Sequence, residues 1–146
     1  MLFRSPYLKT YNLFISHAWA YGESYNRLIN LLNQAPYFSY KNYSAPEDHP
    51  LHTLDHGPVR TKSQIMSAID RKIAPAHCVL VLSGMYTNHS EWMQYELETA
   101  VWKEKPIIGI RPFGSARTPS AVESVADVMV SWNTNSIISA IRDLSL

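Results

Sequence analysis

The sequence predicts an α/β domain of three layers, in which a sheet of about five parallel strands lies between helices on both faces. Short apolar and β-branched runs have sharp ends, as expected of strands covered on both faces. Segments of helical periodicity separate most of these runs, and such alternation along a chain indicates a doubly wound sheet. The 146 residues, 46% of them hydrophobic, fit a single domain that spans residues 1–146.

The five predicted strands follow from the apolar runs in chain order. Residues 11–16 form the first strand, and residues 38–42 form an edge strand, because aromatic residues there alternate with polar ones. Residues 78–82, 106–110 and 128–130 are β-branched or apolar throughout most of their length. Each is therefore predicted as a buried parallel strand.

Four helices are predicted between and after these strands. Their apolar residues recur every three or four positions, which places them on one face of a helix. No helical period is present between the fourth and fifth strands. The apolar positions of the four helices are Tyr25, Leu28, Ile29 and Leu32; Ile65, Met66, Ile69 and Ile73; Met93, Leu97, Ala100 and Val101; and Ile137, Ile138, Ile141 and Leu144.

The longest irregular segment comprises residues 43–59 and is interrupted by prolines and a glycine. Long connections in compact domains are often functional, so we interpret it as a flap over a site. It contains His49, His52 and His56, whose spacing suggests a metal site. Without cysteines beside them we interpret the three histidines as part of a polar loop and predict no metal.

Composition narrows the range of functions. The formal charge of +1 predicts neither nucleic acid nor a membrane surface as a partner. The single cysteine, Cys78, lies within an apolar strand, which favours a buried thiol over a nucleophile.

No run approaches the ~18 apolar residues of a membrane span, and the first residues lack the apolar core of a signal peptide. We therefore expect a cytoplasmic protein.

A ligand site is expected at one edge of the sheet. Doubly wound sheets bind ligands beyond the carboxyl ends of their strands, near the point where the strand order reverses. This rule brings together Ser16 and His17 after the first strand, residues 42–56 after the second, and residues 83–92 after the third.

Glu96 and Trp92 are the candidates for chemistry in the helix that follows the third strand. They are four residues apart, so they share one helical face. The alternative for Glu96 is an exposed side chain paired with Lys103 or Arg111, and the alternative for Trp92 is a place in the core.

Two further motifs have weak functional interpretations. Ser16 next to His17 suggests a nucleophilic pair, but neighbours on an extended chain point to opposite faces, so a serine nucleophile is not favoured. Ser83 and Gly84 could offer backbone N–H groups to a phosphate, yet the sequence lacks the glycine fingerprint of a dinucleotide site and the P-loop of nucleoside triphosphatases.

Two segments resemble the signatures of TIR domains. Residues 11–17 (YNLFISH) resemble the first strand and its terminal serine, and residues 90–97 (SEWMQYEL) resemble the third helix with its tryptophan and glutamate. Two residues depart from the common pattern, since Asn12 stands where many TIR domains have Asp and Met93 where many have Cys. Neither departure removes the glutamate.

The proline-rich segment after residues 42–44 and the ending at residues 132–136 are similar to the short TIR-like proteins of the bacterial Thoeris antiphage system, the ThsB family. This resemblance implies a flavodoxin-like (TIR-like) fold. It also implies an enzyme that consumes NAD as substrate, without another cofactor, and makes a cyclic or modified ADP-ribose signal for a separate effector protein. Self-association into a homo-oligomer is a further expectation.

The resemblance assigns the catalytic role to Glu96, the glutamate that enzymatic TIR domains require. The remaining site residues are expected to shape the substrate pocket. They are Phe14, Ser16, His17, Asn42, Ser83, Met85 and Trp92.

Two alternatives to this function stay open. One is a TIR module that works by self-assembly without catalysis, for which Glu96 would be dispensable. The other is an enzyme resembling nucleoside deoxyribosyltransferases, which have a related sheet and also use a glutamate in ribose chemistry.

Overall fold

The computed structural model describes residues 9–17, 22–44, 61–85, 91–112 and 117–146. Five strands and five helices alternate within these ranges. The strands are β1 (Thr10–Ser16), β2 (Ser39–Asn42), β3 (Cys78–Leu82), β4 (Ile107–Ile110) and β5 (Val128–Val130). The helices are α1 (Gly22–Gln34), α2 (Lys62–Ile73), α3 (Glu91–Trp102), α4 (Ser120–Glu123) and α5 (Thr134–Leu144), and a 3-10 turn (Ser83–Met85) follows β3.

The five strands form one sheet in the order β2-β1-β3-β4-β5, and every neighbouring pair is parallel. This is the flavodoxin-like order, which confirms the predicted fold and places β2 at an edge. The strand order reverses between β1 and β3, where Ser16 pairs in register with Val81. The carboxyl ends of β1 and β3 therefore define the switch point at which such sheets bind ligands.

The core follows from covering the sheet on both sides. All residues of β3 and β4 are buried, which explains why their sequences are continuous apolar runs. Helix α2 packs against α3, and α1 packs against α5, so the helices form layers around the sheet. At Gly109 of β4, the Met129 side chain from β5 occupies the space that a Cβ atom would take, so a larger residue there requires the end of that side chain to move.

Side-chain caps help to define the starts of two helices. At α2, the Thr61 hydroxyl accepts a bond from the Gln64 backbone N–H at 3.1 Å, and the Gln64 side chain accepts one from Thr61 N–H at 2.9 Å. At α5, the Asn133 side chain accepts a bond from Ser136 N–H. These bonds satisfy N–H groups that the first helical turn leaves without partners.

The sequence predicts no helix between β4 and β5, and this prediction is wrong. Helix α4 lies in this connection, and it is too short, at four residues, to produce a periodic pattern. Its Val122 is fully buried and supplies the apolar contact that the sequence pattern does not reveal. The predicted flap at 43–59 falls mainly outside the described residues, which include only Tyr43 and Ser44 of that segment. Among the helices of the described ranges, none has the length and apolar character to cross a membrane.

Candidate active site at the strand switch point

Glu96 and Ser16 meet at the switch point between β1 and β3. Ser16 is the last residue of β1, and its hydroxyl donates a 2.8 Å hydrogen bond to Glu96 Oε1 from α3. Ser16 is fully buried, and Glu96 is 3% exposed. The alternative of an exposed, ion-paired Glu96 is therefore wrong.

The burial of Glu96 changes its acidity. Desolvation disfavours the charged carboxylate and raises the pKa of Glu96 from 4.5 to about 8, while the bond from Ser16 acts in the opposite direction. The side chain is therefore largely protonated at neutral pH. A buried carboxyl with such a pKa at a strand-end rim is a candidate functional group.

His17 lies directly after β1 and is also buried. Its ring stacks on Tyr25 of α1, with the ring centroids 4.1 Å apart and the planes at 14°. The Nδ1 atom of His17 lies 3.0 Å from the Ile15 carbonyl oxygen. Ser16 and His17 thus have different partners, which agrees with the interpretation that they do not form a nucleophilic pair.

Asn42 ends β2 and reaches the same region through Tyr25. The Asn42 side-chain NH₂ donates to the Tyr25 hydroxyl at 2.6 Å. The Asn42 side-chain oxygen accepts a bond from Ser44 N–H at 3.0 Å and a second from the Ser44 hydroxyl. The ends of β1 and β2 are therefore joined by a chain from His17 through Tyr25 to Asn42.

Tyr25 is the site residue that sequence reasoning missed. Its place in the apolar period of α1 correctly predicts a buried ring, and the side chain is 6% exposed. The hydroxyl and the stacked His17 ring are contacts made across the fold. A tyrosine on the inner face of a helix beside two polar strand ends was the available signal, because buried tyrosine hydroxyls usually have a hydrogen-bond partner.

Two of the predicted pocket residues make mainly structural contacts. Phe14 is 1% exposed and belongs to the core cluster. The Ser83 hydroxyl, just after β3, donates to the Ile110 carbonyl of β4. Their predicted roles in the pocket stay predictions.

Trp92 lies in the first turn of α3 and is half-buried against the core. Its ring meets Tyr95 edge to face, with centroids 6.3 Å apart. The Tyr95 hydroxyl donates to Asp70 of α2 at 3.0 Å, which anchors this side of the helix. Met85 ends the 3-10 turn after β3, so the backbone brings it to the same rim.

The described residues offer little support for a metal site or a cysteine nucleophile. They include no group of three His, Cys, Asp or Glu side chains that could hold a metal ion. His49, His52 and His56 lie outside the described ranges, so their role stays a prediction. Cys78 is buried as predicted, and burial raises the pKa of its thiol to about 11, which disfavours a reactive thiolate.

A comparison with known protein families gives one match. Residues 14–117 match the family described as Thoeris protein ThsB, TIR-like domain. The matched segment covers more than half of the chain and includes Glu96 and every predicted pocket residue. No curated protein matches the chain.

Solved structures resemble the fold at low sequence identity. A conserved protein from Enterococcus faecalis V583 superposes with a TM-score of 0.63 at 9% identity, over 92% of this chain and 99% of that protein. The CMP N-glycosidase BcmB from Clostridium botulinum superposes with a TM-score of 0.49 at 14% identity, over 89% of this chain and 97% of that enzyme. The first likeness supports the fold alone, and the second is too distant to support an argument.

Proposed function

This chain belongs to the family of Thoeris ThsB TIR-like domains, and from that premise we propose that it cleaves the bond between nicotinamide and ribose in NAD. The product is a cyclic or otherwise modified ADP-ribose that a separate effector protein reads in antiphage defence. The observation that carries the proposal is the Glu96 carboxyl, which is buried beside Ser16 at the switch point of the sheet. A ligand of a doubly wound sheet binds at this point.

A carboxylate is the group that this reaction needs. When the bond between the ribose C1 atom and the nicotinamide nitrogen breaks, both electrons leave with the ring, which becomes neutral. The ribose is left as an oxocarbenium-like cation, and a nucleophile then bonds to C1 and loses its proton. A fixed negative charge beside C1 stabilises the cation, and the departing neutral ring requires no general acid.

The raised pKa of Glu96 is compatible with this role because the substrate is a cation at the reacting ring. With a pKa of about 8, roughly one tenth of Glu96 is ionised at pH 7. A positively charged nicotinamide ring nearby favours the carboxylate and lowers this pKa. Substrate binding would thus increase the ionised fraction of Glu96.

Access to Glu96 requires movement at the rim. At 3% exposure the carboxyl offers no surface for a ribose to contact, so the atoms that cover it must be displaced when NAD binds. Enzymes commonly form the complete site through such a closing or opening step. We therefore expect the isolated protein to be slow until a partner copy or another trigger stabilises the open form.

The decisive experiment compares Glu96→Gln with Glu98→Gln. Glutamine keeps the size of the side chain and can still accept the Ser16 bond, but it removes the charge. Glu98 is exposed on the same helix and is the matched control. Each purified protein is incubated with NAD and, separately, with deoxynucleosides, and products are identified by mass spectrometry.

We expect Glu96→Gln to lose at least about a hundredfold in NAD turnover, as for the removal of other preorganised electrostatic groups. The Glu98→Gln variant should retain the parent rate. Equal turnover by both variants would rule out Glu96 as the catalytic carboxylate. Base exchange between deoxynucleosides would favour the transferase alternative, and no turnover of either substrate with any trigger would favour the self-assembly module.

A further inference from the structure

Ser16, the last residue of β1, donates its side-chain hydrogen bond to Glu96, the candidate catalytic residue. We propose that Ser16 is a positioning residue, which orients Glu96 and favours its charged form, and that it does not contact the substrate. This inference rests on the proposed function for its enzymatic consequences. The coupling between the two side chains can be tested without any turnover.

The geometry leaves Ser16 little freedom for another role. The residue is fully buried, and its backbone is fixed in the β1 ladder opposite Val81 of β3. A serine hydroxyl has a single proton, and in this structure it lies on the 2.8 Å bond to Glu96 Oε1. To donate a hydrogen bond to a ribose or phosphate oxygen, Ser16 would have to give up this bond.

The bond holds Glu96 from a separate element. Glu96 belongs to α3, whereas Ser16 belongs to the central sheet, and the two residues are 80 positions apart in sequence. A donor on a strand that is buried on both faces is more rigid than one on a loop. Ser16 therefore fixes the direction of the carboxyl that the substrate meets.

Two acidic side chains on α2 and α3 have partners other than Glu96. Asp70 of α2 accepts a bond from Tyr95, and Glu91 at the start of α3 forms an exposed ion pair. His17, the residue after Ser16, stacks on α1. The pKa of Glu96 is set first by its burial and then by the bond from Ser16, which lowers it.

The test is a carboxyl titration followed by NMR. Protein is labelled with ¹³C at the glutamate carboxyl carbons, and the signal of Glu96 is assigned by its absence from Glu96→Gln. In Ser16→Ala the midpoint is expected to rise by about one pH unit or more, because the lost bond stabilised a charged group. Ser16→Cys, which has a weaker donor of similar size, should give a smaller rise and replaces the alanine variant if that one does not fold.

Two variants serve as controls for the titration. Ser16→Thr keeps the hydroxyl, so the titration midpoint of Glu96 should stay at the parent value. Ser83→Ala removes an equally buried hydroxyl from the next strand end, where it bonds to a backbone carbonyl, so it should leave the Glu96 midpoint unchanged. A midpoint that is the same in the parent, Ser16→Ala and Ser16→Cys overturns the proposal.

Kinetics separate positioning from substrate contact. If Ser16 acts through Glu96, the rising limb of the kcat/KM profile, which reports the free enzyme, moves to higher pH by the same interval as the midpoint. At pH 7 kcat/KM then falls about tenfold through kcat, and KM for NAD changes little. A large rise in KM with an unmoved profile would show that Ser16 contacts the substrate and would overturn the proposal. An unchanged rate in Glu96→Gln would instead refute the proposed function, while the titration would still decide the role of Ser16.

Discussion

Replacing Glu96 by glutamine should stabilise the fold increasingly as the pH rises. The carboxyl is 3% exposed, and its pKa is raised from 4.5 to about 8 by burial. Between these two values the folded protein holds a proton that the unfolded chain releases. The free energy of unfolding of the parent therefore falls with pH, at up to about 1.4 kcal/mol per pH unit, and levels off above pH 8.

The full interval from 4.5 to about 8 corresponds to a loss of roughly 5 kcal/mol. This is a large part of the 5 to 15 kcal/mol that is typical of a folded domain. Glutamine does not titrate, and its side-chain oxygen can still accept the bond from Ser16. The stabilising effect of Glu96→Gln should thus be small near pH 5 and amount to several kcal/mol near pH 9.

Urea denaturation of the parent, Glu96→Gln and Glu98→Gln at intervals from pH 5 to pH 9 measures this difference. Glu98 is exposed on the same helix, so Glu98→Gln is the matched control for the substitution itself. Parallel curves for the parent and Glu96→Gln would refute the reasoning, because they would mean that the carboxyl has similar proton affinity in the folded and unfolded states. The same variant is expected to lose activity, so the buried charge stabilises the transition state and destabilises the fold.

Trp92→Ala should lower the free energy of unfolding by roughly 2 kcal/mol, less than the roughly 3 to 5 kcal/mol expected for a fully buried tryptophan. It should also increase the share of linear ADP-ribose, because water enters the site. A large fall in Tm with an unchanged product ratio would assign Trp92 to the core. Tyr25→Phe removes the acceptor of the Asn42 bond and should cost about 1 kcal/mol in urea denaturation, with a rise in KM for NAD if this rim binds substrate. Gly109→Ala should destabilise the sheet by no more than about 1 kcal/mol, because the flexible end of Met129 can move aside, and it should cost less in a Met129→Ala background than in the parent. The purified protein should show a specific activity for NAD that rises with its concentration, and a constant value from nanomolar to high micromolar protein would count against activation by association.

Much of the candidate site was predictable because parallel strands place their carboxyl ends at one edge. The four apolar runs and the edge strand give the sheet, and the switch-point rule then selects Ser16, His17 and Asn42. The spacing of Trp92 and Glu96 selects the helix face, and the family signature identifies the glutamate. The short helix α4 was missed because four residues contain no helical period.

The sequence by itself determined the class of fold, the catalytic candidate and the strand ends where it would be found, since periodicity, burial of apolar runs and a local motif are properties of neighbouring residues. Only the tertiary structure decided that Ser16 donates to Glu96, that Tyr25 links His17 to Asn42, and that the carboxyl is buried enough to raise its pKa. The physical reason is that hydrogen bonding and desolvation depend on groups that are distant in the chain and meet only when β1, α1 and α3 pack together. The acidity of Glu96 is consequently a property of the folded protein rather than of its sequence position.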